Sequence, residues 1–212
     1  MNSLNTFKVR LKEIEHLKEM AASLGPPMTE QNREKVSVLN RASIVMLCSH
    51  LEGYFEDVIL EFVDKLCKSN ICMGRIPGKL KVAHIKKDLA IHNNREDLVK
   101  KLFTNYSKLW DDAQTIKSGY LDGERITSDF ANPYPKKVEN LFKNIDLRIW
   151  KNIPYKLKSD LDAIVSRRCD IAHGNLNSTV SSEDAKRYYC SALDLIGRID
   201  RKIERYLNEI IN

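Results

Sequence analysis

The sequence predicts an all-α fold, an elongated bundle of four to seven helices with a helical insertion and room for one small β-hairpin. Breakers are scarce: 8 Gly and 6 Pro in 212 residues. They concentrate in Pro26-Pro27, Pro77-Gly78 and Pro133-Tyr134-Pro135, between periodic stretches rather than inside them. Within those stretches apolar residues return every three or four positions, the spacing that lays one stripe along a helix. A hydrophobic content of 42% lets a chain of this length bury a real core and leaves no room for two large domains. Residues 1–212 are therefore read as one domain.

In order, Leu4, Phe7, Leu11, Ile14, Leu17 and Ala21 predict a first helix that stops before Gly25-Pro26-Pro27. A longer second helix starts between Thr29 and Val36 and runs to about Cys67, with Ile44, Leu47, Leu51, Phe55, Val58, Phe62 and Leu66 on one stripe; it is apolar enough to be the centre of the bundle. Asn70 to Gly78 reads as a loop, and residues 79–92 and 95–118 as shorter, more polar helices of an insertion. Asp122-Gly123, between Tyr120-Leu121 and Arg125-Ile126-Thr127, leaves a loop and a hairpin both open. A short helix follows over Pro135 to Ile145, then an irregular passage from Leu147. Ser159 is the expected cap of the next helix, with Asp162 three residues on, and Ser181 with Asp184 the cap of the last. That last helix carries Ala185, Tyr189, Ala192, Ile196, Ile199, Ile203, Leu207 and Ile210, a 3-4 pattern suited either to the bundle interior or to a second chain.

Charge and cysteine usage narrow the class without fixing it. The net charge of +6 suits a polyanion partner but does not require one. Cys48, Cys67, Cys72, Cys169 and Cys190 are an odd set with no Cys-x-x-Cys pair and no signal-peptide pattern before them, as expected of a reduced, cytoplasmic protein. Cys67, Cys72, His84 and His92 match no compact zinc spacing, so neither metal nor cofactor is expected. No apolar run approaches the ~20 residues needed to cross a bilayer, so no membrane association is expected. Lys79, Lys81, Lys86, Lys87, Lys100 and Lys101 read either as a solvated face or as a phosphate-attracting surface with Tyr106 or Trp110 for stacking.

The informative run is Ser166-Arg167-Arg168-Cys169-Asp170-Ile171-Ala172-His173-Gly174. At ~100° per residue Arg168 falls roughly 20° from Leu161, inside the stripe of Leu161, Ile164, Val165, Ile171 and Ala172. Arg167 points to the polar side with Asp160 and Asp170. A guanidinium in an apolar stripe needs an acidic partner or a wet cleft to line. Gly174 is a helix-ending residue, and Asn175, Asn177 and Ser178 continue as loop. His173 therefore falls at a helix C-terminus, beside the negative end of the macrodipole, and histidine is the side chain whose charge changes near neutral pH.

The segment Arg168-Cys169-Asp170-Ile171-Ala172-His173, an Arg-x4-His motif followed by Gly174, resembles the signature of HEPN-superfamily domains. Ser49-His50-Leu51-Glu52-Gly53-Tyr54-Phe55 is similar to the second-helix pattern of HEPN domains from prokaryotic defence and toxin loci, and Asn132-Pro133-Tyr134-Pro135-Lys136-Lys137-Val138-Glu139-Asn140-Leu141-Phe142 to that subgroup's connector. Together these stretches extend the resemblance over about residues 35–205, with an insertion at about 70–135. It implies a homodimer in which two motifs face each other and cut RNA without metal, in a toxin or antiviral defence setting where an antitoxin or other system component is a candidate partner. Arg168 and His173 are then the catalytic residues, and Asp170, Glu52, Arg167 and Asn175 the supporting ones. Cys169 stands where many members carry Asn, Asp or His. Asn175 stands where members silenced by nucleotidylation carry Tyr, so that control is not expected here. Glu52 is expected to bond Arg168 or a backbone amide, and His50, about 200° away on the same helix, is not its acid-base partner. Two other readings remain open: a catalytically silent HEPN-like module that binds RNA, nucleotide or protein, and a plain helical dimerisation protein with a buried Arg168–Glu52 pair.

Overall fold

The computed structural model describes residues 1–25, 29–92, 96–175 and 178–212. Among them are eight α-helices: α1 (Asn2–Ser23), α2 (Glu30–Lys68), α3 (Gly78–His92), α4 (Glu96–Tyr106), α5 (Gly123–Thr127), α6 (Pro135–Lys143), α7 (Tyr155–Ala172) and α8 (Ser182–Ile211). Tight 3₁₀ turns occupy Met73–Arg75 and Ser107–Trp110. The fold is all-α, with no strand among the described residues. The expected break at Pro26-Pro27 and the loop former Asn177 lie outside those residues, as does the side chain of His92.

The hairpin alternative is not taken, and α5 lifts the helix count above the expected range. Asp122 caps α5 instead of turning a hairpin: its Oδ1 accepts the Glu124 N–H at 2.9 Å. Gly123 is needed for closeness, because a Cβ there would stand 2.8 Å from Leu60 Cδ2 and 3.0 Å from Leu60 Cα. The Asp-Gly pair thus lets the short helix press against α2, a tertiary demand that imitates a turn signal.

α2 is the axis of the core. Leu51, Tyr54, Phe55, Val58, Ile59, Phe62 and Leu66 on it are fully buried, and α1, α7 and α8 all pack on it. Phe7 meets Tyr54 edge to face at 5.6 Å, Tyr54 meets Phe55 at 5.7 Å, and Phe55 meets Phe142 at 6.2 Å and Phe130 at 6.1 Å. Each fully buried side chain of this kind contributes roughly 1.5–3 kcal/mol. The row also anchors the segment before α6 through Phe130. The stripe of α8 faces inward: Ala185, Ala192, Ile196, Ile199, Ile203, Leu207 and Ile210 are buried within this one chain.

Caps set the helix starts. Thr29 caps α2 by accepting the Asn32 N–H at 3.2 Å, and Ser181 caps α8 by accepting the Asp184 N–H at 3.0 Å, as expected. The expected Ser159 cap is corrected: α7 starts five residues earlier, after Pro154. Proline suits a helix entry because its φ is already helical, and buried Leu157 gives the apolar stripe an extra turn. The start of α1 is capped from α2, where the Glu61 carboxylate accepts the N–H groups of Asn2 at 2.8 Å and Ser3 at 2.9 Å. Burial raises that carboxyl, but the two N–H donors and Lys65 outweigh it and hold it at about 2. Among the described residues no helix is long and apolar enough to cross a membrane.

Candidate functional site

The last turn of α7 carries the motif, and its ending is built by the main chain. Cys169 O accepts the His173 N–H at 2.9 Å, Ile171 O the Gly174 N–H at 3.1 Å, and Asp170 O the Asn175 N–H at 3.0 Å. Gly174 has φ +76°. These last two bonds, closing around a left-handed glycine, are the Schellman pattern. It stops the helix at Ala172, with His173 as the C-cap and its imidazole exposed.

Arg168 lies partly buried between α7, α2 and the segment leading into α6. Its Nη1 donates to Oδ1 of Asn132 at 3.0 Å. Asn132 adopts φ +52°, a left-handed conformation that asparagine tolerates better than most residues. Its own N–H donates to Glu52 Oε2 at 2.8 Å. Glu52 therefore bonds a backbone amide, and through it holds the asparagine that holds the arginine. Among the described residues Arg168 makes no ion pair, so the buried Arg168–Glu52 pair of the third reading is not what the chain forms. A guanidinium has five N–H donors in a rigid fork. One of them is tied to a neutral amide, which orients the group without cancelling its charge.

Neighbouring groups frame this arginine. Tyr134 OH donates to Cys169 Sγ at 3.7 Å, and Trp150 Nε1 donates to Pro135 O at 3.0 Å. The Asn132–Pro135 segment is thus tied to the motif helix through Asn132 and Tyr134, and to the stretch before that helix through Pro135. Cys48 on α2 shares this neighbourhood, and burial pushes its thiol up to about 12 against the pull of Arg168. It is a protonated packing group and no nucleophile.

The remaining predicted residues separate. Arg167 turns away from Arg168: its Nη1 donates to Thr179 O at 2.8 Å and lies 3.5 Å from Asp184 Oδ2, and the guanidinium sits 5.5 Å from the Tyr188 ring centroid. It fastens the loop after the motif to α8. The Asp170 side chain is exposed, and Asn175 joins the helix ending through its backbone. His50 faces α1, with Nε2 3.2 Å from Glu13 Oε2. Asn132 and Tyr134 were not singled out by residue chemistry, although both lie in the connector stretch; an asparagine just before Pro-Tyr-Pro was the available signal.

The lysine-rich stretch is divided. Lys79 pairs with Asp146 at 2.5 Å, and Lys81 is buried with Asp112 at 3.9 Å. Tyr106 OH donates to Asp88 and accepts from Arg125 Nη1 at 3.3 Å, so it is built into a network, whereas Trp110 is half exposed. In the zinc set weighed from the sequence, Cys67 Sγ contacts Leu121 O at 3.8 Å and His84 Nδ1 accepts the Asp122 N–H at 3.1 Å. Both are occupied by the fold.

Comparison with known proteins gives one family: the model described as RiboL-PSP-HEPN matches residues 5–205. That span covers α1 through most of α8 and includes both the second-helix and motif stretches. No curated protein and no solved structure matches the chain.

Proposed function

The chain belongs to the RiboL-PSP-HEPN family, and from that premise we propose that it is a metal-independent endoribonuclease acting as a homodimer. HEPN membership supports an RNase-type or RNA-binding role. The observation that carries the finer reading is the state of Arg168: oriented by a neutral amide, unpaired with any described carboxylate, and one turn before an exposed histidine.

Strand cleavage of this kind uses the adjacent 2′-hydroxyl as nucleophile. Its oxygen attacks phosphorus, the P–O5′ bond breaks, and the products are a 2′,3′-cyclic phosphate and a 5′-hydroxyl. One neutral imidazole accepts the 2′-hydroxyl proton, and one imidazolium donates a proton to the leaving O5′. The five-coordinate phosphorus intermediate gathers negative charge on its non-bridging oxygens, where the guanidinium fork provides paired, charge-assisted hydrogen bonds. Each chain supplies one His173 and one Arg168. Two-fold symmetry assembles two of each around one phosphate. Glu52 and Asn132 position Arg168, Arg167 holds the following loop, and Asp170 and Asn175 flank the histidine. The similarity of residues 49–55 and 132–142 to domains from defence and toxin loci supports a toxin or antiviral role in the cytoplasm, with an antitoxin-like partner.

The test is cleavage of RNA by purified protein in EDTA, with end-group analysis. Cyclic phosphate ends are expected, and Arg168→Ala and His173→Ala should each lower the rate by about 10²–10⁴ while remaining folded. Cleavage persisting in both variants would overturn the assignment. Tight RNA binding without cleavage by the unaltered protein would reassign it as a silent binding module.

A further inference from the structure

A cleft of about 240 Å³ opens where α3, α5 and α6 meet. Its cations come from all three helices: Lys86 and Lys87 on α3, Arg125 on α5, Lys137 on α6. Two periodicities converge on it. Ala83, Lys86 and Lys87 share one face of α3, while Lys137, Asn140, Leu141 and Asn144 share one face of α6 and its end. The floor is apolar, from buried Ala83, Ile126 and Leu141.

The charges do not cancel. Asp129 is the acidic group among the lining residues, 3.4 Å from Lys87. Asp88 pairs with Arg125 at 2.5 Å from behind and fixes its guanidinium. Lys86 has no ion-pair partner among the described residues, and Lys137 donates to a neutral carbonyl, Ala131 O, at 2.8 Å. Net positive charge over an apolar floor, rimmed by the Asn140 and Asn144 amides, fits a phosphodiester strand: cations take the phosphates, amides the sugar and base edges.

The cleft also lies close to the motif along the chain. Phe130 lines it and Asn132 holds Arg168. Two residues of extended chain span at most about 7 Å, so one short segment is a wall of both places. We infer that this cleft is a backbone-binding track, which seats the single-stranded RNA flanking the phosphate held at Arg168. The proposal deepens the ribonuclease reading and rests on it for the strand's direction of approach.

The experiment measures binding and cleavage separately. Lys86→Glu/Lys87→Glu is compared with Lys8→Glu/Lys12→Glu on α1, the same charge change at two exposed lysines away from the cleft. A 2′-O-methyl oligoribonucleotide of about twenty residues, which cannot be cut, reports affinity by fluorescence anisotropy at several salt concentrations. The cleft variant should bind about tenfold or more weakly, with a log–log salt slope shallower by about 0.7–1.4, one phosphate contact at roughly 0.7 for unpaired Lys86 and a second for Lys87 where the strand displaces Asp129. Its cleavage of a long RNA should fall in parallel, while its cleavage of a dinucleotide, too short to reach the cleft, should match the control. Equal affinity and equal salt slope in the two variants overturn the track. If the unaltered protein cuts nothing, the ribonuclease reading fails, yet the anisotropy comparison still decides whether the cleft holds a polyanion strand.

Discussion

Arg167 and Arg168 are neighbours on one helix, about 100° apart, and the two faces of α7 use them in opposite ways. On the α8 face, Arg167 meets a carboxylate, a carbonyl and an aromatic ring. On the α2 face, Arg168 meets an asparagine amide that a glutamate steadies through the backbone. A carboxylate partner consumes a cation's field, whereas an amide partner fixes direction and leaves the field for a ligand. The same residue type is a clasp in one place and, in the proposed site, an anion receptor in the other.

The sharpest way to break this contrast is to exchange the lesions. Arg168→Lys keeps the charge but loses the fork, and RNA cleavage should fall roughly 10²-fold with little change in melting temperature. Arg167→Ala should instead lower stability by about 1 kcal/mol, a drop of roughly 2–4 °C for a chain of this size, with cleavage altered only a few-fold. If Arg167→Ala abolishes cleavage while Arg168→Lys leaves it intact, the assignment of the two faces is inverted.

A smaller effect is expected one step removed. Asn132→Gly removes the amide while accepting φ +52° without strain, and it keeps the N–H that Glu52 binds. Arg168 loses its tether, so kcat should drop about tenfold with KM for RNA nearly unchanged. A fall in stability with kcat intact would make Asn132 a folding residue only.

The smallest effect on cleavage is expected at Glu61, the α2 carboxylate that caps α1. Against burial, the backbone N–H donors and Lys65 hold Glu61 at about 2 in the folded protein, below its ordinary value of 4.5. Such a group stabilises the fold above the unfolded value, and that contribution is lost as pH falls from about 4.5 toward 2. Denaturant titrations should show this acid loss, and Glu61→Gln should flatten that part of the profile. An unchanged slope in the variant would mean that the cap on α1 contributes nothing measurable.

Legibility in the sequence followed the same division between local and tertiary causes. Helices α1, α2, α7 and α8 could be read because a 3.6-residue period is written in consecutive residues, and the end of α7 because Gly174 sits where a left-handed residue is needed. The start of α7 and the Asp122-Gly123 segment were misplaced because their causes lie elsewhere in the chain, in the burial of Leu157 and the nearness of Leu60. Arg168 could be picked out as a cation in an oily stripe. Its partner could not, since Asn132 reaches it only after Phe130 has docked on Phe55 and carried the connector across α2. The basic cleft was half visible as Lys86 and Lys87, but no period relates them to Arg125 and Lys137.

The inward-facing stripe of α8 bears on how two copies would meet. With its longest oily surface already enclosed, α8 offers no zipper to a second molecule, so the proposed twofold contact has to be built from other surface near the motif. If that contact is weak, turnover climbs faster than linearly as the protein accumulates, leaving scattered molecules dormant and crowded ones active.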